Sequence, residues 1–246
     1  MLDTQIPLPE RGRTFSSRRR IRLSDVDEHG RLRLDAIARF LQDVAIEDVQ
    51  ETGWGTPEHL WFVRRIRVDV LQPCLRDTAV DLTTWCSGIA SVAAGRRWSL
   101  AGDAGGRVEV DSVWIHLDAG ASPARIDGFG LYAEAAGGRR VSTKLGLPDP
   151  PPEAARVPWA LRATDVDRHG HVNNAVHWQA VEELLPSLGV APRRPLTAEL
   201  EYRAAIDRGD TIELVPFEAD GHGAVAFVAD GDAVRAVASV TPRAPG

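Results

Sequence analysis

The chain repeats itself once. The segment Arg22-Leu-Ser-Asp25-Val-Asp27-Glu-His29-Gly30 returns as Arg162-Ala-Thr-Asp165-Val-Asp167-Arg-His169-Gly170, at a constant offset of 140 residues from Asp25 to Asp165. Six of the nine positions are identical. A repeat of this length means one supersecondary design used twice, so both halves must reach the same local fold.

Both copies continue with a helical pattern. Leu34, Ile37, Ala38, Leu41 and Ala45 share one helical face in the first copy, and Val176, Ala180, Val181 and Leu184 share one in the second. Gly53 and Gly55 end the first helix, and Pro186 and Gly189 close the second. Segments rich in β-forming residues follow: 61–70, 79–86, 95–101 and 108–117, then 196–203, 211–217, 224–229 and 233–240. Turn signals fall between them at Arg76-Asp77-Thr78, Gly209-Asp210-Thr211 and Asp230-Gly231-Asp232. One helix followed by an antiparallel meander is an α+β unit. The Gly-, Ala- and Pro-rich stretch 128–153, ending in the run from Pro148 to Pro152, reads as a linker between a first domain at 1–127 and a second at 154–246. The two units are expected to pack side by side into one continuous sheet.

Composition narrows the function classes. A formal charge of −6 and the lack of an aromatic-rich basic stripe argue against nucleic acid. The arginine clusters at Arg18 to Arg20, Arg64 to Arg67, and Arg193 with Arg194 are either solvated surface or a landing for an acidic partner. Cys74 and Cys86 are too few for a disulfide framework and lack the spacing of a metal or redox motif, so both are expected to be reduced. No segment has the apolar core of a signal peptide or the length of a membrane span, and a cytoplasmic location is expected.

Further motifs carry a resemblance. In the first half these are Leu41-Gln42-Asp-Val-Ala45, Leu60-Trp61-Phe-Val63 leading into Arg64-Arg65-Ile-Arg-Val, and Thr84-Trp85-Cys86 followed by Arg96-Arg97-Trp98. In the second half they are Asp167-Arg-His169-Gly-His171-Val172-Asn173-Asn174 and Leu200-Glu201-Tyr202-Arg203. With these motifs the sequence resembles the acyl-ACP thioesterases, double hot-dog enzymes that release fatty acids from acyl carrier protein in fatty acid biosynthesis. The resemblance implies tandem hot-dog domains, each an antiparallel sheet wrapped around one long helix. It also implies an N-terminal domain that shapes the acyl tunnel and a C-terminal domain that carries the chemistry. The family's active-site pattern is Asp-x-Asn-x-His-Val-Asn-Asn, with a glutamate on the strand after the helix. Asp167 and His171 match it. His169 stands where asparagine is usual, and Ala205 takes the place of the acid.

Thioester hydrolysis needs a nucleophile, a group that takes its proton, and donors aimed at the developing oxyanion. Asp167 is the candidate base or nucleophile, and His171 orients or deprotonates water. His169 or Asn173 bonds the thioester carbonyl or the catalytic carboxylate. A helix starting at Asn173 or Asn174 would add free N–H groups and its positive dipole end, while the same asparagines cap the helix. Glu182, Glu183 and Asp207 are candidates to replace the missing acid, with Glu183 placed first. The first copy has Arg31-Leu32-Arg33-Leu34 where the second has His171-Val-Asn173-Asn174, so it is expected to have given up chemistry. Asn174, Trp61 and Phe40 are candidates for binding the substrate, with Trp54 and Phe62 nearby. Neither a metal nor a cofactor is expected, because His169, His171 and Asp167 lack a further strongly placed ligand.

The expected function is hydrolysis of fatty acyl-ACP, with acyl carrier protein as partner. The alternatives are an acyl-CoA thioesterase and a non-catalytic acyl-binding relative that has lost the acid at 205. The chain is expected to act as a monomer or homodimer.

Overall fold

The computed structural model describes residues 6–53, 60–191 and 193–244. Its elements run β1 Thr14–Arg20, α1 Leu34–Thr52, β2 Leu60–Gln72, β3 Ala79–Ile89, β4 Ala93–Gly102, β5 Arg107–Leu117, α2 Gly130–Ala136, β6 Val157–Trp159, α3 Asn174–Leu184, β7 Leu196–Tyr202, β8 Ile212–Ala219, β9 His222–Ala229 and β10 Ala233–Pro242.

All ten strands form one antiparallel sheet in the order β1-β3-β4-β5-β2-β7-β10-β9-β8-β6. The order reads the same from either edge, so the sheet is two equivalent five-stranded halves joined at β2 and β7. The repeat in the sequence is thus a repeat in space. Arg65 to Val70 pair with Glu201 to Leu196 across that joint, which makes the sheet continuous. This is the tandem hot-dog architecture.

Two details differ from a helix followed by a simple meander. The strand after each helix does not pair with its successor: β2 pairs with β5, and β7 with β10. Each helix is also preceded by an edge strand, β1 and β6, that propensity does not announce. The first carries three consecutive arginines and the second is a Val-Pro-Trp tripeptide. Charge and proline are ordinary on an edge, where one row of backbone groups faces solvent.

Helices α1 and α3 pack on each other and on the sheet. Leu34, Ile37, Val44, Trp98, Leu100, Trp178, Leu200 and Phe227 lie within one contiguous core. Helix α1 stops where Gly53 adopts φ 62°, a left-handed conformation that a side chain would strain. The segment 128–153 is not featureless. It contains α2, whose Tyr132, Ala135 and Ala136 pack with Trp85 and Cys86 of β3. It then straps the second half, where the buried Glu201 carboxylate accepts from Gly146 N–H (2.6 Å) and Leu147 N–H (3.1 Å).

Candidate active site

The second motif folds into a tight turn closed by Asp167 and His171. Asp167 N–H donates to the His171 carbonyl at 2.9 Å, Val166 bridges Val172, and Gly170 takes φ 85° at the bend. Asp167 and His171 are therefore opposite each other across the turn. Asp167 Oδ1 accepts from His169 N–H at 2.8 Å, which fixes the carboxylate by the backbone of that residue. The His169 ring is exposed and accepts from Arg168 Nε at 3.2 Å.

His171 meets an acid, and it is neither Glu182 nor Glu183. Its Nδ1 lies 2.7 Å from Asp207 Oδ1, on the turn after β7, where the two residues form an isolated bridge. A histidine whose Nδ1–H is given to a carboxylate presents Nε2 as its basic nitrogen. Glu183 is exposed and sits in the field of Arg162.

Asn173 is the N-cap of α3. Its Oδ1 accepts from Ala175 N–H at 2.9 Å and from the Gln42 side-chain amide at 3.2 Å. Because the cap needs the oxygen, the orientation of this amide is set, and its NH2 group is the part left to donate elsewhere. The Asn174 N–H is the first of the helix and has no acceptor among the described residues, while the Asn174 carbonyl accepts from Tyr202 O–H at 3.0 Å. Beneath the cap, the buried His177 Nδ1–H donates to the Asn173 carbonyl at 3.3 Å. Burial pushes its pKa down to about 4, so the ring is neutral.

A cavity of about 380 Å³ between the two helices is lined by Asp167, Asn173, Ala175 and Val176 from the second copy and by Arg39, Gln42 and Asp43 of α1, while His169, His171 and Asp207 are not among its walls. The site is thus shared between the halves. Sequence reading had not assigned roles to Gln42, Asp43 or His177. Gln42 lies 131 residues from Asn173, and only the pairing of the helices brings them together.

Two candidates stand apart from this cavity. Phe40 is buried in the main core, and Trp61 sits on β2 with its ring 5.2 Å from His116 and 6.0 Å from Phe129. Trp54 lies outside the described residues. The Arg96-Arg97-Trp98 motif does not line this cavity either: Arg96 Nη2 donates to the buried Asp48 of α1 at 2.6 Å, and Trp98 is core.

The first copy repeats the turn with different chemistry. Asp27 Oδ1 accepts from His29 N–H and Arg31 N–H at 2.9 and 2.8 Å, and its Oδ2 holds Arg31 Nε at 3.0 Å. Arg31 replaces His171, and Leu75, which bridges Arg31, replaces Asp207. Glu182 of α3 closes the place: its carboxylate takes Arg31 at 2.5 and 3.1 Å and the Leu34 N–H at 2.5 Å. The pair is buried, with 5% and 9% of the side chains exposed. The Leu34 N–H thus has an acceptor where the Asn174 N–H has none among the described residues, and a cavity of about 590 Å³ borders the same turn, lined among others by Asp27, His29, Leu75 and Arg193.

A continuous double sheet in two equivalent halves, with a carboxylate and a capped helix start lining a cavity that both halves share, is the architecture of a hot-dog protein. The sequence pattern of the acyl-ACP thioesterase N-terminal domain matches residues 12–125, and that of the C-terminal domain matches residues 150–227. The chain belongs to the acyl-ACP thioesterase family. It is 30% identical over 233 residues to an uncharacterized protein of Mycobacterium tuberculosis, covering 94% of this chain and 92% of that one. It is 21% identical to the oleoyl-acyl carrier protein thioesterase 1 of Arabidopsis thaliana, over 84% of this chain and 64% of that one. Its fold matches the acyl-ACP thioesterase of Bacteroides thetaiotaomicron with TM-score 0.78 at 18% identity, covering 94% and 98% of the two chains. The 12:0-ACP thioesterase of Umbellularia californica gives TM-score 0.77 at 17% identity, with the same coverage.

Proposed function

We propose that this protein hydrolyses fatty acyl thioesters, with acyl carrier protein as the carrier. The observation that carries the reading is the cavity where Asp167, Asn173 and the open N-terminus of α3 meet. Water enters beside Asp167, which takes its proton as the oxygen attacks the thioester carbon. The tetrahedral oxyanion is received by the Asn173 NH2 group and the Asn174 N–H, helped by the positive end of the helix. Collapse breaks the carbon–sulfur bond. His171, held by Asp207, takes that proton from Asp167 at Nε2 and gives it to the departing thiolate, which leaves Asp167 ionised for the next water. His169 acts through its backbone N–H, by orienting Asp167.

Asp207 answers the missing acid at Ala205, because it supplies a carboxylate to the catalytic histidine from the next turn of chain. Family membership supports acyl carrier protein as partner. The test is hydrolysis of a chain-length series of acyl-ACP and acyl-CoA by the purified protein, Asp167→Asn and His171→Ala. Turnover that favours ACP and vanishes in both variants is the expected result. Preference for CoA would move the reading to an acyl-CoA thioesterase. Saturable acyl-ACP binding without turnover on any thioester would make the protein an acyl-binding relative.

A further inference from the structure

The two halves offer the same helix start to the same position on the opposite helix. By the offset of the repeat, Gln42 corresponds to Glu182, Leu34 to Asn174 and Arg31 to His171. Each helix presents that residue to the N-terminus of the other, and the outcomes differ. Glu182 reaches the Leu34 N–H at 2.5 Å and is neutralised by Arg31. Gln42 instead donates to Asn173 Oδ1 at 3.2 Å and leaves the corresponding Asn174 N–H open.

The physical reason is the difference between an acid and its amide. A carboxylate is acceptor-only, and an unpaired N–H at a helix start is its natural partner, so glutamate at this position supplies its own anion to the seat. Glutamine has an NH2 group as well, and the Asn173 oxygen gives that group a partner. Held there, the Gln42 side chain stays clear of the N–H and steadies the Asn173 amide with its donor end free. The first copy therefore displays an anion in place, in the form of the Glu182 carboxylate, at the seat that the second copy leaves vacant for a substrate oxyanion.

We propose that residue 42 is a positioning residue that determines whether the catalytic seat is open: glutamine holds it open, and glutamate would fill it as Glu182 fills its counterpart. The kinetic part rests on the thioesterase reading, whereas the occupancy of the seat does not.

The test uses the full chain with ¹⁵N-labelled backbone, as wild type, Gln42→Glu and Gln42→Glu/His171→Arg. The double variant rebuilds an arrangement that this fold already accommodates at Arg31 and Glu182, which guards against a single variant that fails to fold. In both, the Asn174 amide proton should move downfield as a carboxylate accepts from it. In Gln42→Glu, kcat on acyl thioesters should fall about 100-fold with KM nearly unchanged, the size of effect of losing one oxyanion donor. An Asn174 amide that stays at its wild-type position in both variants overturns the proposal. An amide that moves while Gln42→Glu turns over like wild type overturns the gating role. A moved amide in a protein whose wild type hydrolyses no thioester supports the filled seat and overturns the thioesterase reading instead.

Discussion

His171 Nδ1 stands 2.7 Å from Asp207 Oδ1, and the first copy has Arg31 and Leu75 at the two corresponding places. Both members of the pair differ together in the first copy, and in the proposed reaction they act as one unit. Asp207→Asn should lower kcat about 10- to 100-fold, and His171→Ala about 10²- to 10⁴-fold, the range for a general acid–base group. Both side chains are about half exposed or more, at 49% and 62%. An exposed pair contributes less than about 1 kcal/mol, so urea unfolding of either variant should stay close to wild type. A large loss of stability would identify the pair as structural.

Asn173 does two things that can be separated. Its oxygen caps α3, and in the proposed reaction its NH2 group donates to the oxyanion. Asn173→Asp keeps the capping oxygen, because aspartate caps as well as asparagine, but loses the donor and sets a negative charge where the oxyanion forms. Its unfolding midpoint should change little while kcat falls by about 100-fold or more. Asn173→Ala should lose both, with about 1 kcal/mol of stability gone. Wild-type activity in either variant would show that the amide donates nothing to the reaction.

The buried Arg31–Glu182 pair should matter for stability and not directly for catalysis. Removing one partner leaves a charge in the protein interior and, for Glu182, an uncapped helix start as well. Arg31→Met or Glu182→Leu alone should cost about 3–5 kcal/mol in urea unfolding, and the double variant should recover part of that loss because neither charge of the pair remains, although Asp27 loses Arg31 as a partner. Additive losses would mean that the two side chains do not interact.

Cys74 and Cys86 are buried, and burial pushes both thiols up to about 11. The thiolate is the reactive form, so neither should react with a thiol reagent at neutral pH in the folded protein, and both should react in urea. Rapid labelling of the native chain would contradict their placement.

The repeat made the fold legible. Sequence alone gave the two helices and eight strands nearly in place, as with Ala79 to Cys86 against the observed Ala79–Ile89, because alternation and helical spacing are local properties. The edge strands escaped because Thr14–Arg20 is charged and Val157–Trp159 is short. The β2–β5 pairing escaped because partner choice is a tertiary property. At the site, Asp167, His171 and Asn173 were readable from one motif. Asp207 was one of three candidate acids, and nothing local ranked it above Glu183. Gln42 had no assigned role and Glu182 was a candidate acid for the wrong copy, since a helical glutamine or glutamate shows its partner only when the opposite helix is set against it.

His177 lies beneath the Asn173 cap, packed against Phe227 and Tyr202 with ring centroids 5.1 and 5.2 Å away. Burial lowers its pKa from 6.5 to about 4 in the folded protein. Above pH 6.5 the ring is neutral in both folded and unfolded chains, and its contribution to stability is fully present. As pH falls below 6.5 the unfolded chain takes up a proton that the folded chain refuses, so this contribution is lost progressively until about pH 4. The slope for one proton is about 1.4 kcal/mol per pH unit, and the total over the window is at most about 3 kcal/mol. Urea unfolding of wild type and His177→Gln at pH 7, 6 and 5 isolates this contribution, because glutamine can donate to the Asn173 carbonyl without titrating. Wild type should lose stability more steeply than the variant over that range. Parallel curves would show that His177 can be protonated without unfolding, and that the floor beneath the catalytic cap is wetter than its burial indicates.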